Sequence, residues 1–346
     1  MRDRRGAHAY IGVMTAPAPL STAEDTAVQT GPGRMNPAES QRINSMATAL
    51  SVSVALILVG AKLAAWAASG SIALLASFFD SLLDLAASIT AFLAVRYAAR
   101  PADNEHRFGH GKAEAFSSLL QAVLVAASAV FLFFEGTRRL IDPEPVEAGG
   151  WALGVMVLSV LLTLGLIRMQ TLVIRRTGSI AVTGDRAHYS ADLLSNIAVM
   201  GGVAIAVFAG LERADPVLAL FVGALLAKSA FELGRDSVNQ LLDRELPDGT
   251  RAHIEALLTD DPRVLGVHEL RTRAAGPLIH IQVHMDLDPF QTLKQAHDVV
   301  VAAEMRVLAH YPAADLLIHS DPKGYGEAHG RGFFDADPEP HDGGAR

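Results

Sequence analysis

The sequence predicts an α-helical polytopic membrane protein, a bundle of six spanning helices followed by a small α/β domain. Three observations carry that prediction. Half of the 346 residues are hydrophobic and only 19% are charged, and the mean hydropathy is +0.27, too apolar for an ordinary soluble chain. Runs long enough to cross a hydrocarbon core of about 30 Å recur through residues 41–240. Beyond Leu241 the apolar runs stop and short alternating and helical patterns take over.

The elements follow in order. Residues 1–40 mix Ala, Pro, Gly and Thr without periodicity and carry no signal-peptide core, so a disordered cytoplasmic extension is expected. Met46 to Ala68 is the first span, interrupted by Lys62, which either snorkels or faces a neighbouring helix. Ser69-Gly70-Ser71 turns the chain into the second span, Ile72 to Val95, and a charged loop, Arg96 to Gly111, follows. Phe116 to Phe134 is the third span, closed by Arg138, Arg139 and the breaker run Asp142-Pro143-Glu144-Pro145. Trp151 to Ile167 is the fourth, with the fifth at about 187–210 and the sixth at about 216–233.

An even number of spans puts both termini on one side. The loops after spans two and four hold Arg96, Arg100, Arg107, Lys112, Arg168, Arg175, Arg176 and Arg186, against Arg138, Arg139 and Arg213 on the opposite side. By the positive-inside rule both ends are cytoplasmic.

After a linker at 241–247, residues 248–321 read as helix (Asp248 to Thr259), strand (Val264 to Arg273), strand (Leu278 to Asp286), helix (Gln291 to His310) and strand (Asp315 to Ser320). Ala275-Gly276-Pro277 is the turn between the first two strands. That order in so short a segment gives an open-faced α/β sandwich of ferredoxin-like type. Residues 322–346, rich in Gly, Pro and acid, are expected to form a disordered tail.

The chemistry begins with Asp80 and Asp84, four residues apart and therefore on one helix face, inside a run otherwise fit for lipid. Each carboxylate near the bilayer centre costs roughly 2.5–3.5 kcal/mol, which a structural role alone does not justify. His188 and Asp192 repeat the spacing on the fifth span, and the two helices facing each other would present four ligands in a roughly tetrahedral set. There are no cysteines. Imidazole and carboxylate are thus the strong ligands left, suited to zinc, cadmium, ferrous iron or manganese better than to Cu(I). The same groups accept protons, so metal and proton compete for one site, which would couple efflux to a proton gradient.

Two further groups stand outside the spans. Asp103, His106 and His110 have spacings that would converge on one metal, or would equally suit a solvated loop. A zincin reading fails because Arg107 stands where the general-base Glu of H-E-x-x-H belongs. In the α/β domain His268, His284, His319 and Asp321 fall toward strand ends that meet at one edge, with His280 and His297 nearby. No nucleophile, phosphate loop or other enzymatic motif stands out, and a net charge of −8 offers nothing to nucleic acid. A metal-sensing membrane protein without transport is the alternative; it would need the soluble ligands but not the acids in the bilayer.

Several motifs together resemble the cation diffusion facilitator family, and its bacterial ferrous-iron and zinc efflux branch in particular. They are D-S-L-L-D at 80–84, H-Y-S-A-D at 188–192, R-P-A-D-N-E-H-R-F-G-H-G-K-A-E at 100–114, L-L-D-R-E-L-P at 241–247 and H-E-L-R-T-R at 268–273. The likeness covers about Ser45 to Pro322. It implies a homodimer in the inner membrane that exchanges Zn2+, Fe2+ or Cd2+ for H+. It implies a transport site of Asp80, Asp84, His188 and Asp192 and a loop site of Asp103, His106 and His110. It further implies a cytoplasmic cluster of His268, His284, His319 and Asp321, with His297 as an additional or bridging ligand. Lys112 and Asp243 match charges that interlock the protomers near the membrane surface.

Overall fold

The computed structural model describes residues 31–70, 72–142, 150–209 and 213–325. Six long helices come first: α1 (Pro37–Ser69), α2 (Ile72–Ala98), α3 (Ala113–Ile141), α4 (Gly150–Thr177), α5 (Ile180–Ala209) and α6 (Ala214–Leu241). Five of them, α1 to α4 and α6, are long and apolar enough to cross a membrane. The other, α5, has 30 residues and carries Asp185, Arg186, His188 and Asp192 in its first half. The protein is a multi-pass membrane protein.

Every span but α2 is several residues longer than its apolar run. At about 1.5 Å per residue the 33 residues of α1 reach well past a 30 Å core. The excess of α1, α4, α5 and α6 lies at the end that faces the α/β domain, so those helix ends form a stalk beneath it. The start of α1 is set by chemistry that hydropathy does not register: Asn36 caps it by accepting from the Ala38 amide (3.0 Å), and Pro37 takes the first helical position, where no amide is missed. Gly70, with φ +65°, ends α1 by donating its amide to the Trp66 carbonyl at 2.8 Å.

Three buried clusters hold the bundle together among the described residues, the smallest being Ala47, Val173 and Val182 of α1, α4 and α5. Val125, Ala129, Ala191, Ala198, Val222, Leu226 and Ala230 join α3, α5 and α6. Val54, Leu58, Leu166 and Tyr189 join α1, α4 and α5. Small side chains let the backbones approach, as membrane helix packing favours. Lys62 faces a neighbouring helix: it is buried and donates to Ser81 Oγ of α2 at 2.6 Å.

The α/β domain contains α7 (Asp248–Thr259), β1 (Gly266–Ala275), β2 (Leu278–Leu287), α8 (Leu293–His310) and β3 (Ala314–Pro322). The sheet order is β1-β2-β3. β1 and β2 pair antiparallel across the Gly276 turn, while β2 and β3 pair parallel through the α8 crossover. Alternation along β2 decides the two faces. Ile279, Ile281, Val283, Met285 and Leu287 enter a core with Ile254, Leu258, Val299, Ala303 and Val307 from the helices. His280, Gln282, His284 and Asp286 stand on the other face. Thr292 opens α8 with a reciprocal capping box to Gln295.

The expectation of a loose N-terminal extension is corrected at its near end. Residues 1–30 lie outside the described residues, but Gly33 donates to the Pro277 carbonyl (2.9 Å) and accepts from the Ala313 amide (3.1 Å). Arg34 stacks over the Tyr311 ring at 3.8 Å and donates to its hydroxyl at 2.7 Å. The segment before α1 is thus bound to the α/β domain. The tail is likewise corrected near its start, where the Lys323 amide donates to Leu287 (2.8 Å); residues 326–346 lie outside the described residues.

Candidate metal centres

The transmembrane centre is built by α2 and α5. The i, i+4 spacing aligns Asp80 with Asp84 and His188 with Asp192, and the helices bring three of these into one group: donor atoms of Asp84, His188 and Asp192 lie within 4.8 Å of one another. His188 Nε2 is 3.0 Å from Asp84 Oδ1 and 3.6 Å from Asp192 Oδ2. Asp192 Oδ2 is buried yet accepts no hydrogen bond among the described residues. A buried oxygen without a donor suits a cation. Asp80 stands outside the three and is exposed. It sits one turn from Asp84 on the same helix.

The geometry makes proton and metal alternatives. With a proton on Nε2 the ring donates to Asp84; without it, a nitrogen lone pair and two carboxylates point at one place. A dication there would replace that proton.

The loop centre gathers Asp103, His106 and His110, again within 4.8 Å. Asp103 Oδ1 accepts from the His106 amide (2.7 Å) and the Glu105 amide (2.9 Å), folding the loop back on itself. Those amides, the His106 one foremost, hold the Asp103 carboxyl below the usual carboxylate range. His110 is buried, with Nδ1 3.4 Å from the Arg100 carbonyl. Its Nε2 stands 3.3 Å from Asp103 Oδ2; a proton held on Nδ1 by the carbonyl would leave Nε2 as an acceptor for a metal.

The sheet centre follows from register. His268 pairs with His284, and His284 with His319, so three imidazoles lie side by side across three strands. Asp321 reaches all of them, at 3.4 Å from His268, 2.8 Å from His284 and 3.1 Å from His319. Donor atoms of His268, His284 and Asp321 lie within 4.8 Å of one another. His297 is exposed on α8 and is not brought into that group.

Two acids here escape the sequence reading. Asp286, next in the register row and opposite Asp321, stands 3.7 Å from His268 and 2.8 Å from Lys323. Glu269 approaches His284 at 3.8 Å; it sits at the bulge between His268 and Arg271 with φ +51°. Asp286 was signalled by parity with His284, whereas the bulge that turns Glu269 has no sequence mark.

Lys112 and Asp243 meet at 3.0 Å within one chain, where the sequence reading places them in a contact between protomers. Asp243 also binds Arg273 at 3.1 Å. The pair therefore ties the start of α3 and the end of α6 to β1. His280 is held by Asp315 at 3.0 Å, with the Phe108 ring edge-on at 5.8 Å.

Comparison with known proteins accords with this architecture. The family model for the cation efflux transmembrane domain matches residues 48–242, and that for the cation efflux protein cytoplasmic domain matches 246–323. The cation-efflux pump FieF of Klebsiella pneumoniae subsp. pneumoniae is 40% identical over 294 residues, 85% of this chain and 98% of its own length. Its counterpart in Yersinia enterocolitica is 40% identical over 288 residues, covering 83% and 95%. That of Shewanella oneidensis is 42% identical over 277 residues, covering 80% and 93%. With both domains matched in order and relatives aligned over nearly their whole length, the chain belongs to the cation diffusion facilitator family of cation efflux proteins.

Proposed function

We propose that the protein exports a divalent metal, Zn2+, Fe2+ or Cd2+, from the cytoplasm in exchange for H+. Asp80, Asp84, His188 and Asp192 are the transport site in this reading. One observation carries it: His188 Nε2 stands between two carboxylates, and the buried Asp192 oxygen there has no hydrogen-bond donor among the described residues. An imidazole among oxygen donors, in a chain without cysteine, favours zinc, cadmium and ferrous iron over Mn2+ and Cu(I). Proton and metal exclude each other at one nitrogen, and this exclusion is the coupling device of an alternating-access antiporter.

The orientation is both termini inside, in the inner membrane, on the arginine and lysine distribution. The working unit is a homodimer. His268, His284, His319 and Asp321 form the cytoplasmic metal cluster, with His297 reaching it from the partner or by rearrangement. Asp103, His106 and His110 hold a third ion. Metal in the sheet cluster draws the soluble domains together.

Proteoliposomes loaded with a pH dye test this reading. Zn2+, Fe2+ and Cd2+ should each move protons in the opposite sense, with Mn2+ weaker, and Asp84→Ala should abolish both fluxes. Metal uptake that neither senses nor generates a pH difference would overturn antiport. The sensing alternative draws support from the sheet cluster; it predicts that Asp84→Ala leaves the protein's function whole.

A further inference from the structure

One turn from His188, toward the α/β domain, Asp185 is fully buried. Neither the motifs nor the proposed transport site uses it. Its Oδ1 accepts from Ser88 Oγ of α2 at 3.3 Å, and its Oδ2 from Gln170 Nε2 of α4 at 2.8 Å. Gln170 Nε2 also donates to Ser51 Oγ of α1 at 3.1 Å. Tyr189 completes the layer: its hydroxyl lies 2.8 Å from Ser88 Oγ and donates to the Ser51 carbonyl at 3.1 Å. Four helices thus meet in one hydrogen-bonded layer, and none of its five side chains is more than 2% exposed.

The side chains to either side of the layer along the bundle are less closely packed than the layer itself. On its soluble-domain side is a cavity of about 1100 Å³, lined by Ile180, Thr183, Asp236, Asn239 and Tyr311 among others. On its other side the metal donors become more exposed with distance: the side chains of His188 and Asp84 are 8% and 13% exposed, that of Asp192 is 28%, and Asp80 is exposed outright.

We propose that Ser51, Ser88, Gln170, Asp185 and Tyr189 are the closed inner gate of the transport path, with Asp185 as the positioning residue that latches α1, α2, α4 and α5. The inference rests on the transport reading for its purpose, not for its geometry. A polar layer suits a gate better than an apolar plug. All its polar side-chain atoms but Gln170 Oε1 find partners among the described residues when the helices are together, and water can replace those partners when the helices part, so opening exchanges one set for another. An apolar seal would have to expose its whole area to water at each cycle.

The chain has no cysteine, so one introduced thiol reports on the gate. Ala55 is buried on α1 one turn from Ser51, on the metal-site side. In metal-free inside-out vesicles, Ala55→Cys should react slowly with a membrane-impermeant maleimide added from the soluble-domain side. Adding Asp185→Ala should speed labelling at least tenfold and collapse an imposed pH gradient faster, while Zn2+ stoichiometry by calorimetry stays unchanged. Gln170→Leu removes one latch donor and keeps the carboxylate; it should do the same to a lesser degree, and it replaces Asp185→Ala should that variant fail to elute as a monodisperse peak. Unchanged labelling and an equally tight membrane in the folded variant would overturn the gate. Neither readout involves metal movement, so failure of the antiport reading would show separately, in the loaded vesicles.

Discussion

Gly111 and Ala275 lie so close that a Cβ built on Gly111 would stand 2.2 Å from the Ala275 carbonyl oxygen. The next residue in the turn continues the contact, since a Cβ on Gly276 would come within 3.3 Å of the Glu114 carboxyl carbon. The hairpin tip of the soluble domain is therefore seated on the start of α3, directly after the loop centre. Glu114 in turn accepts from Ser179 Oγ at the threshold of α5. One chain of contacts runs from the sheet to the helix that carries His188 and Asp192.

Gly111→Val should unseat that hairpin. The side chain has backbone in its way, which does not yield as a side chain would, and overpacking of this kind costs about 1–3 kcal/mol. Paired spin labels on the cysteine-free chain, one in α3 and one in β2, should report a longer and broader distance. An unchanged distance distribution would show that the turn has another way to dock.

Removing a transport-site donor should cost metal affinity in proportion to its role. Asp84→Ala, His188→Ala and Asp192→Ala should each weaken Zn2+ binding about 100-fold or more, which is ~2.7 kcal/mol. Asp80→Ala should do the same if the side chain rotates in as fourth ligand. Calorimetry on the chain with the other two centres removed decides it, and a wild-type affinity for Asp80→Ala would reduce the set to three protein donors.

Lys62 should work against the metal. Its ammonium is buried against Ser81 and acts electrostatically on Asp80 and Asp192, so it offsets the acids that attract a dication. Lys62→Met should tighten Zn2+ binding about tenfold and slow turnover by hindering release. Weaker binding in that variant would mean the lysine positions the donors instead.

His284→Ala should abolish metal-dependent closure of the soluble domains and leave transmembrane binding within about twofold, because the domain carrying the sheet cluster has its own core. Small-angle scattering with and without Zn2+ checks the closure.

Asp261 gives a pH dependence with a definite sign. Hydrogen bonds from the Arg263 side chain, then from its amide, hold the carboxyl down to about 2. A folded value depressed below the unfolded 3.8 stabilises the domain fully above about pH 4; that contribution fades as pH falls toward 2. The pair is near the surface, so about 1 kcal/mol is at stake. Residues 246–323 carrying Asp261→Asn should melt lower at pH 7 and lose most of the difference from wild type at pH 2.5.

Much of this was legible because the relevant residues sit at fixed local spacings. The i, i+4 spacing marks the helix faces from which Asp84, His188 and Asp192 come together, and period-two alternation from Leu278 to Leu287 announces the strand that carries His284. What was not legible depends on distant partners or on signals other than hydropathy. Asp185 looks in sequence like a charge near a helix start, and Ser51, Ser88 and Gln170 approach it from three other helices. The helices outrun their apolar runs because a stalk above the membrane keeps its hydrogen bonds without needing apolar side chains. Asn36-Pro37 marks the start of α1 as clearly as any motif, but it lies nine residues before the hydropathy rises at Met46. Asp286 is two residues from His284 on the same face and escapes notice because its register with Asp321 is set only on folding.

The bonds of Gly33 to Pro277 and Ala313 fall where β2 and β3 begin, and those two strands run side by side to the far edge that bears His284 and His319. The lead into the first membrane helix and the histidine edge thus sit at opposite ends of the same pair of strands, joined by an unbroken ladder of backbone hydrogen bonds.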